Sequence, residues 1–186
     1  MIVKGKESQE KLLEGINGTA DVVKTTLGTK GRTVLIQEKY GLGFNITKDG
    51  VTVANSISFD EEYLNIGSDF IKNAAKKTVD EAGDGTTTTS ILTQSMCNNI
   101  FKELELGKNQ NELIKDLKED LEMVVKYIKD KSKKIKNTED IKNIALVSSN
   151  NDLEIANNIK DIYDNTNFNV VIDVVESEND LTNYEI

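Results

Sequence analysis

The 186 residues contain no histidine and one cysteine, so Ser-His and Cys-His catalysis and the usual zinc sites are excluded. Any chemistry must rest on carboxylates, hydroxyls, lysines, backbone amides and a hard metal ion. Such groups gather in three glycine-containing segments. The first is Thr26-Leu27-Gly28-Thr29-Lys30-Gly31-Arg32, the second Thr47-Lys48-Asp49-Gly50, and the third Gly83-Asp84-Gly85-Thr86-Thr87-Thr88-Thr89. The third is the most informative. Glycines on either side of Asp84 permit positive φ and a tight turn. Four β-branched threonines are poor helix formers, but at a helix N-terminus their hydroxyls and the free amides point outward together. Such an end takes anions, phosphate above all, and Asp84 could hold Mg²⁺ against that phosphate. On spacing alone an ordinary threonine-capped helix with a turn aspartate is an equal alternative. Taken singly, the first segment reads as normal helix capping and the second as an Asp turn. Their number and shared character raise all three. No G-x-x-x-x-G-K-[ST] pattern occurs, so a phosphate site here is of another type.

Helices must position these loops. Leu12, Leu13, Ile16, Ala20, Val23 and Leu27 form one apolar stripe, preceded by a candidate cap at Ser8. Ile66, Phe70, Ala74, Thr78 and Ala82 form a second, and Leu92, Met96, Ile100 and Leu104 a third. Leu113, Leu117, Leu121, Val124 and Ile128 form a fourth. All four read as core-facing helix, and the Gly107-Lys108-Asn109 break separates the last two as a helical hairpin. Thr33–Gln37 and Phe44–Thr47 read as a β-hairpin around a turn with two glycines. Residues 169–175 read as a further strand, and Tyr184-Glu185-Ile186 as the start of another whose partner lies in a continuing polypeptide. The expected fold is therefore mainly α with a small β-hairpin, followed after the lysine run Lys131, Lys133, Lys134 and Lys136 by a smaller α+β unit. The boundary falls at 132/133, giving segments 1–132 and 133–186.

Composition bounds the function. Lys+Arg total 23 against 32 Asp+Glu, a net charge of -9, and an acidic surface argues against nucleic-acid binding. No apolar run approaches a membrane span, and the first residues lack a signal-peptide core. The lone Cys97 points to a reducing compartment. There is no proline, and the only arginine is Arg32, a usage that fits an AT-rich genome better than any functional account.

In order and spacing the three loops resemble the nucleotide site of the group I chaperonins, the GroEL family. That family reads TLGPKGR, TKDGV and AGDGTTT; this chain has TLGTKGR at 26–32, TKDGV at 47–51 and AGDGTTT at 82–88. Gly15-Ile16-Asn17 with Ala20-Asp21-Val22-Val23-Lys24 also resembles its first helix, and Ser148-Ser149-Asn150-Asn151-Asp152 its S-A-N-S-D segment. The likeness runs from about residue 5 to the end, and the GR and KDGV forms favour group I. Thr29 stands where the family has proline, which loosens the first loop.

The resemblance implies an ATP-driven protein-folding subunit. Residues 1–132 would be the N-terminal part of an equatorial ATP-binding domain and 133–186 the first part of an intermediate domain. The apical domain and the C-terminal halves have no counterpart here, nor does the family's second catalytic acid. Carried over by position, Thr26, Leu27, Gly28 and Thr29 line the phosphates, and Gly85, Thr86, Thr87 and Thr88 form the phosphate cradle. Asp84 is the Mg²⁺ ligand, and Asp49 assists the attacking water. Thr26, Lys48 and Thr87 fall at a K⁺ site, Lys48 through its carbonyl. Val147 and Ser148 fall where the intermediate domain meets the nucleotide. Implied with these are ATP/ADP, Mg²⁺ and K⁺, a seven-fold homo-oligomeric ring, unfolded client proteins and a co-chaperonin. A cytoplasmic location follows, in a bacterium, a phage-infected host or an organellar matrix. The alternatives are a truncated homologue that binds nucleotide or joins an assembly without hydrolysing, and a purely structural helical protein.

Overall fold

A computed structural model describes residues 5–37, 43–166, 168, 170–175 and 184. The chain divides into two compact units, Met1–Glu119 and Asp120–Ile186.

In the first unit, α1 (Lys6–Val23) runs into a 3₁₀ turn (Lys24–Thr26). Strands β1 (Val34–Gln37) and β2 (Phe44–Thr47) follow, then helices α2 (Gly50–Ser56), α3 (Glu62–Ala82) and α4 (Thr86–Glu105). Helix α5 (Gln110–Lys131) begins in this unit and ends in the second. The two strands pair antiparallel, Val34 opposite Thr47 and Gln37 opposite Phe44, as the β-rich pattern predicts; most of the connecting turn, 38–42, lies outside the described residues.

The core is built from Ile16, Ala20 and Val23 of α1, Val53 and Ala54 of α2, and Ile71 of α3. Val34, Ile36, Ile57 and Cys97 pack against it. Burial pushes the Cys97 thiol up, away from the reactive thiolate. The α1 stripe is thus core-facing, although Leu27 lies past the helix end and is exposed. Ser8 is not the cap: the helix starts at Lys6, and the Ser8 hydroxyl, inside the first turn, donates to the Gly5 carbonyl at 2.8 Å.

Helices α3 and α4 bury different faces from those expected. Ile66 and Phe70 are 54% and 51% exposed, while Gly67, Ser68, Ile71 and Ala75 are buried. On α4, Leu92 and Met96 are exposed and Thr86 and Ser90 buried. On α3 the reason is its close approach to α1. A Cβ added to Gly67 would stand 2.9 Å from the Gly15 Cα and 2.8 Å from the Ile16 nitrogen. Only small residues fit at such a crossing, so the large apolar side chains turn outward. On α5, Leu113 is buried but Leu121, Val124 and Ile128 are exposed.

In the second unit, α6 (Thr138–Ser148) packs antiparallel on α7 (Leu153–Thr166). The Thr138 hydroxyl at the start of α6 donates to Asp164 at the end of α7 at 2.5 Å. Between them Asn150 and Asn151 take φ of 56° and 68°, a left-handed turn that asparagine tolerates. The lysines from 131 to 136 lie exposed at and beyond the end of α5. The strand expected over 169–175 is not formed. Residues 170–175 are irregular, with Val171 95% exposed, because no strand edge among the described residues pairs with them. Asn169 lies outside the described residues, as does the terminal Tyr184–Ile186 segment except for Tyr184. Among the described residues no helix is long and apolar enough to cross a membrane.

Candidate functional site

Each glycine loop sits at a helix end of the first unit. After α1 the 3₁₀ turn brings Thr26 inward, 7% exposed, and its hydroxyl donates to the Val23 carbonyl at 2.9 Å. Leu27 is extended and Gly28 has φ of 74°. The amide of Gly31 donates to the Gly28 carbonyl at 2.9 Å and that of Arg32 to the Thr25 carbonyl at 2.8 Å, which closes the loop on itself. Thr29 lies exposed at its tip.

The second loop leads into α2. Asp49 caps that helix: its Oδ2 accepts from the Thr52 amide at 2.8 Å and the Thr52 hydroxyl at 2.6 Å. The Asp49 amide donates to the Thr47 hydroxyl at 3.0 Å. Lys48 and Asp49 are exposed while Gly50 is buried.

The third loop joins α3 to α4. Gly83 and Gly85 take φ of 76° and 96°, left-handed values that suit glycine. Between them the Asp84 Oδ1 accepts from the Gly85 amide at 2.6 Å. Gly85 occupies the N-cap position of α4 and has no side chain to cap it. The amides of Thr86, Thr87 and Thr88 therefore have no intrahelical acceptor. The positive end of the helix dipole points out with them.

All three loops converge on that helix end. The Thr26 and Thr87 hydroxyl oxygens lie 3.3 Å apart. A Cβ on Gly50 would stand 2.9 Å from the Thr86 hydroxyl and 3.0 Å from the Thr87 amide nitrogen, so the second loop lies directly against the third. Val147 and Ser148 are exposed in the last turn of α6, in the second unit.

Chemically the arrangement suits an anion with an accompanying metal. The amides and threonine hydroxyls offer donors to phosphate oxygens. Among the described residues no three acidic or cysteine side chains cluster, so none forms an all-protein metal cage. An exposed carboxylate such as that of Asp84 fits Mg²⁺ instead, which binds through one or two carboxylates plus substrate phosphates. The Thr26 and Thr87 hydroxyls, hydrogen-bonded to each other, add two further polar groups at the same helix end.

Sequence reasoning missed two supports. The hydroxyls of Thr78 on α3 and Thr89 on α4 bond across the Asp84 turn at 2.9 Å; Thr78 falls within the second apolar stripe, and a hydroxyl in that stripe is the available signal. Asn17, Asp21, Gln94 and Asn98 bond across α1 and α4; amide side chains at the seam carry no periodic signal.

Comparison with known proteins places this architecture. The family model of the TCP-1/cpn60 chaperonin family matches residues 19–186. The chain is 41% identical over 173 residues to a chaperonin GroEL of Methanospirillum hungatei JF-1, covering 93% of this chain and 32% of that protein. It resembles the chaperonin gp146 of bacteriophage EL 2 (Pseudomonas aeruginosa), solved in the presence of ATP-BeFx. The TM-score is 0.74 at 32% identity, covering 88% of this chain and 28% of that one. A group III chaperonin in the open state shares the fold, with a TM-score of 0.72 at 18% identity over 87% of this chain and 32% of that one. The chain thus spans about a third of the length of these relatives. With a family match over nine-tenths of its length and three loops meeting at one helix end, the chain belongs to the TCP-1/cpn60 chaperonin family.

Proposed function

We propose that the chain is the nucleotide-binding portion of a group I chaperonin subunit, an ATPase that assists protein folding in a homo-oligomeric ring. Residues 1–132 correspond to the N-terminal equatorial part and 133–186 to the first intermediate part. The observation that carries the reading is the convergence of Thr26, Gly50 and Thr87 at the start of α4. The TKDGV and TLGTKGR forms, and a relative bearing the GroEL name, support group I.

In this reading Gly85 and the amides of Thr86, Thr87 and Thr88 form the cradle of the β- and γ-phosphates, and Leu27, Gly28 and Thr29 lie along them. Asp84 holds Mg²⁺, which neutralises phosphate charge. Thr26, Thr87 and the Lys48 carbonyl hold K⁺. Asp49 orients the attacking water from its place at the start of α2. Val147 and Ser148 are two further nucleotide-contacting residues in this reading. Unfolded proteins are the clients, a co-chaperonin is a partner, and the setting is cytoplasmic.

Phosphoryl transfer needs a water aligned with the leaving group. One acid holds that water from one side only, and a misplacement of about 1 Å can cost about 100-fold. The chain alone should therefore bind Mg-ATP and release phosphate negligibly under saturating Mg-ATP and K⁺. Turnover at the rate of a complete subunit would contradict the need for a second acid. Absence of ATP binding in equilibrium dialysis would overturn the nucleotide reading itself.

A further inference from the structure

Helices α1 and α4 run antiparallel, and a line of polar contacts follows their seam. At one end Thr26 meets Thr87. Next, Gln94 Nε2 donates to Asp21 Oδ1 at 2.8 Å and to Asn17 Oδ1 at 3.0 Å. Then Asn17 and Asn98 exchange amide bonds, Asn98 Nδ2 to Asn17 Oδ1 at 2.7 Å and Asn17 Nδ2 to Asn98 Oδ1 at 3.1 Å. The Asn98 amide also donates to the Gln94 carbonyl at 2.9 Å, tying it to its own helix. At the far end Lys6 pairs with Glu105 at 3.1 Å.

Directional bonds resist a shift along the helix axis, because they weaken steeply as donor and acceptor move out of line. Gln94 lies about 10 Å along α4 from Thr87, and Asp21 about 7 Å along the α1 axis from Thr26, at a rise of about 1.5 Å per residue. A slip of one helical turn, about 5.4 Å, would unpair Gln94 from both acceptors and part Thr26 from Thr87. We infer that Gln94 and Asn17 are positioning residues: their cross-helix amide bonds set the register of α1 on α4 and so hold the Thr26 loop against the phosphate-binding start of α4. This rests on the nucleotide reading of that helix end.

The test uses the 186-residue chain. Gln94→Met removes the donor at nearly constant volume. Asp21→Asn keeps the oxygen that accepts from Gln94 and serves as the conservative partner. Ala75→Gly destabilises the same unit at a buried α3 position that makes none of the seam's bonds, and serves as a stability control. Two quantities are read: Mg-ATP affinity by calorimetry, and the amide ¹⁵N shifts of Thr26 and Thr86–Thr88 without ligand. The expected result is affinity at least about three-fold weaker in Gln94→Met, the scale of one lost net hydrogen bond. The four amide resonances should move with it, while Asp21→Asn and Ala75→Gly leave both readouts near wild type. Equal loss in Gln94→Met and Ala75→Gly, or unmoved amides in Gln94→Met, would overturn the inference. If the wild-type chain binds no Mg-ATP, the nucleotide reading fails; the ligand-free amide shifts then still decide whether Gln94 sets the register.

Discussion

The hydroxyl oxygens of Thr26 and Thr87 lie 3.3 Å apart although 61 positions separate them in the chain. That contact joins the end of the first helix to the start of the fourth. It exists because α1 and α4 run antiparallel and α2 fills the space beside them with Gly50. A glycine-started helix with two further loops folded against it brings backbone amides and threonine hydroxyls from three separate parts of the sequence to one place, the arrangement that anions favour.

Gly50→Ala tests how closely those parts fit. The added methyl would press on the Thr86 hydroxyl and the Thr87 amide, and backbone yields little. The expected cost is about 1–3 kcal/mol of stability, typical of overpacking, together with weaker Mg-ATP binding. Urea unfolding and calorimetry check the two effects; unchanged values in both would show that the loops are not in close contact.

Gly67→Ala sets two effects against each other. Alanine favours helix over glycine by about 1 kcal/mol. Here, however, its Cβ would meet the backbone of Gly15 and Ile16, and forcing the helices apart costs about 1–3 kcal/mol. The crossing should win, so the urea midpoint falls. A raised midpoint would show that α1 and α3 do not approach this closely.

The same crossing shows where the sequence was legible. The α1 stripe and the 34–47 hairpin could be read because large apolar and β-branched residues mark them. The three loops could be read as a group because glycine, threonine and aspartate cluster there. The buried faces of α3 and α4 could not, because Gly67, Ser68, Ala75 and Ser90 carry little hydrophobic signal and are buried for their size. The Gln94 and Asn98 bonds to α1 are pairings of distant residues that no local pattern encodes. Residues 170–175 have the composition of a strand, but pairing needs an edge, and composition is silent on that.

The cap that Asp49 makes and the catalytic role proposed for it can be separated by substitution. As the N-cap of α2 it accepts from the Thr52 amide, and Asp49→Ala should cost about 1 kcal/mol. Asp49→Asn keeps a good cap and should leave stability near wild type. In a complete chaperonin subunit the proposed role of the carboxylate on the water predicts that both variants slow ATP hydrolysis more than they weaken ATP binding. Steady-state phosphate release beside equilibrium binding checks this; a parallel loss of binding would place Asp49 on the nucleotide instead.

Asp21 gives the acid response a sign. The hydrogen bond from Lys24, then that from Gln94, holds its carboxyl below the ordinary carboxylate range. A carboxylate with a depressed folded value contributes stability above its unfolded value, about 3.9. That contribution is lost as pH falls through the folded value. Asp21 is exposed, so the effect is small. Asp21→Asn should flatten the stability profile below about pH 4, measured by urea midpoints across that window. An unaltered slope would show that the Lys24 and Gln94 contacts do not persist in solution.

The most direct measurement is Mg-ATP titration of the wild-type protein and of Asp84→Asn, each with and without Mg²⁺, by calorimetry. The site described here predicts Mg²⁺-dependent binding in the wild type. In Asp84→Asn the affinity with Mg²⁺ should fall by a few kcal/mol, on the order of a lost charge-assisted contact, with little change when the metal is absent. Equal Mg²⁺-dependent affinity in the two proteins would contradict the assignment of Asp84 and of the α4 start as the metal-nucleotide site.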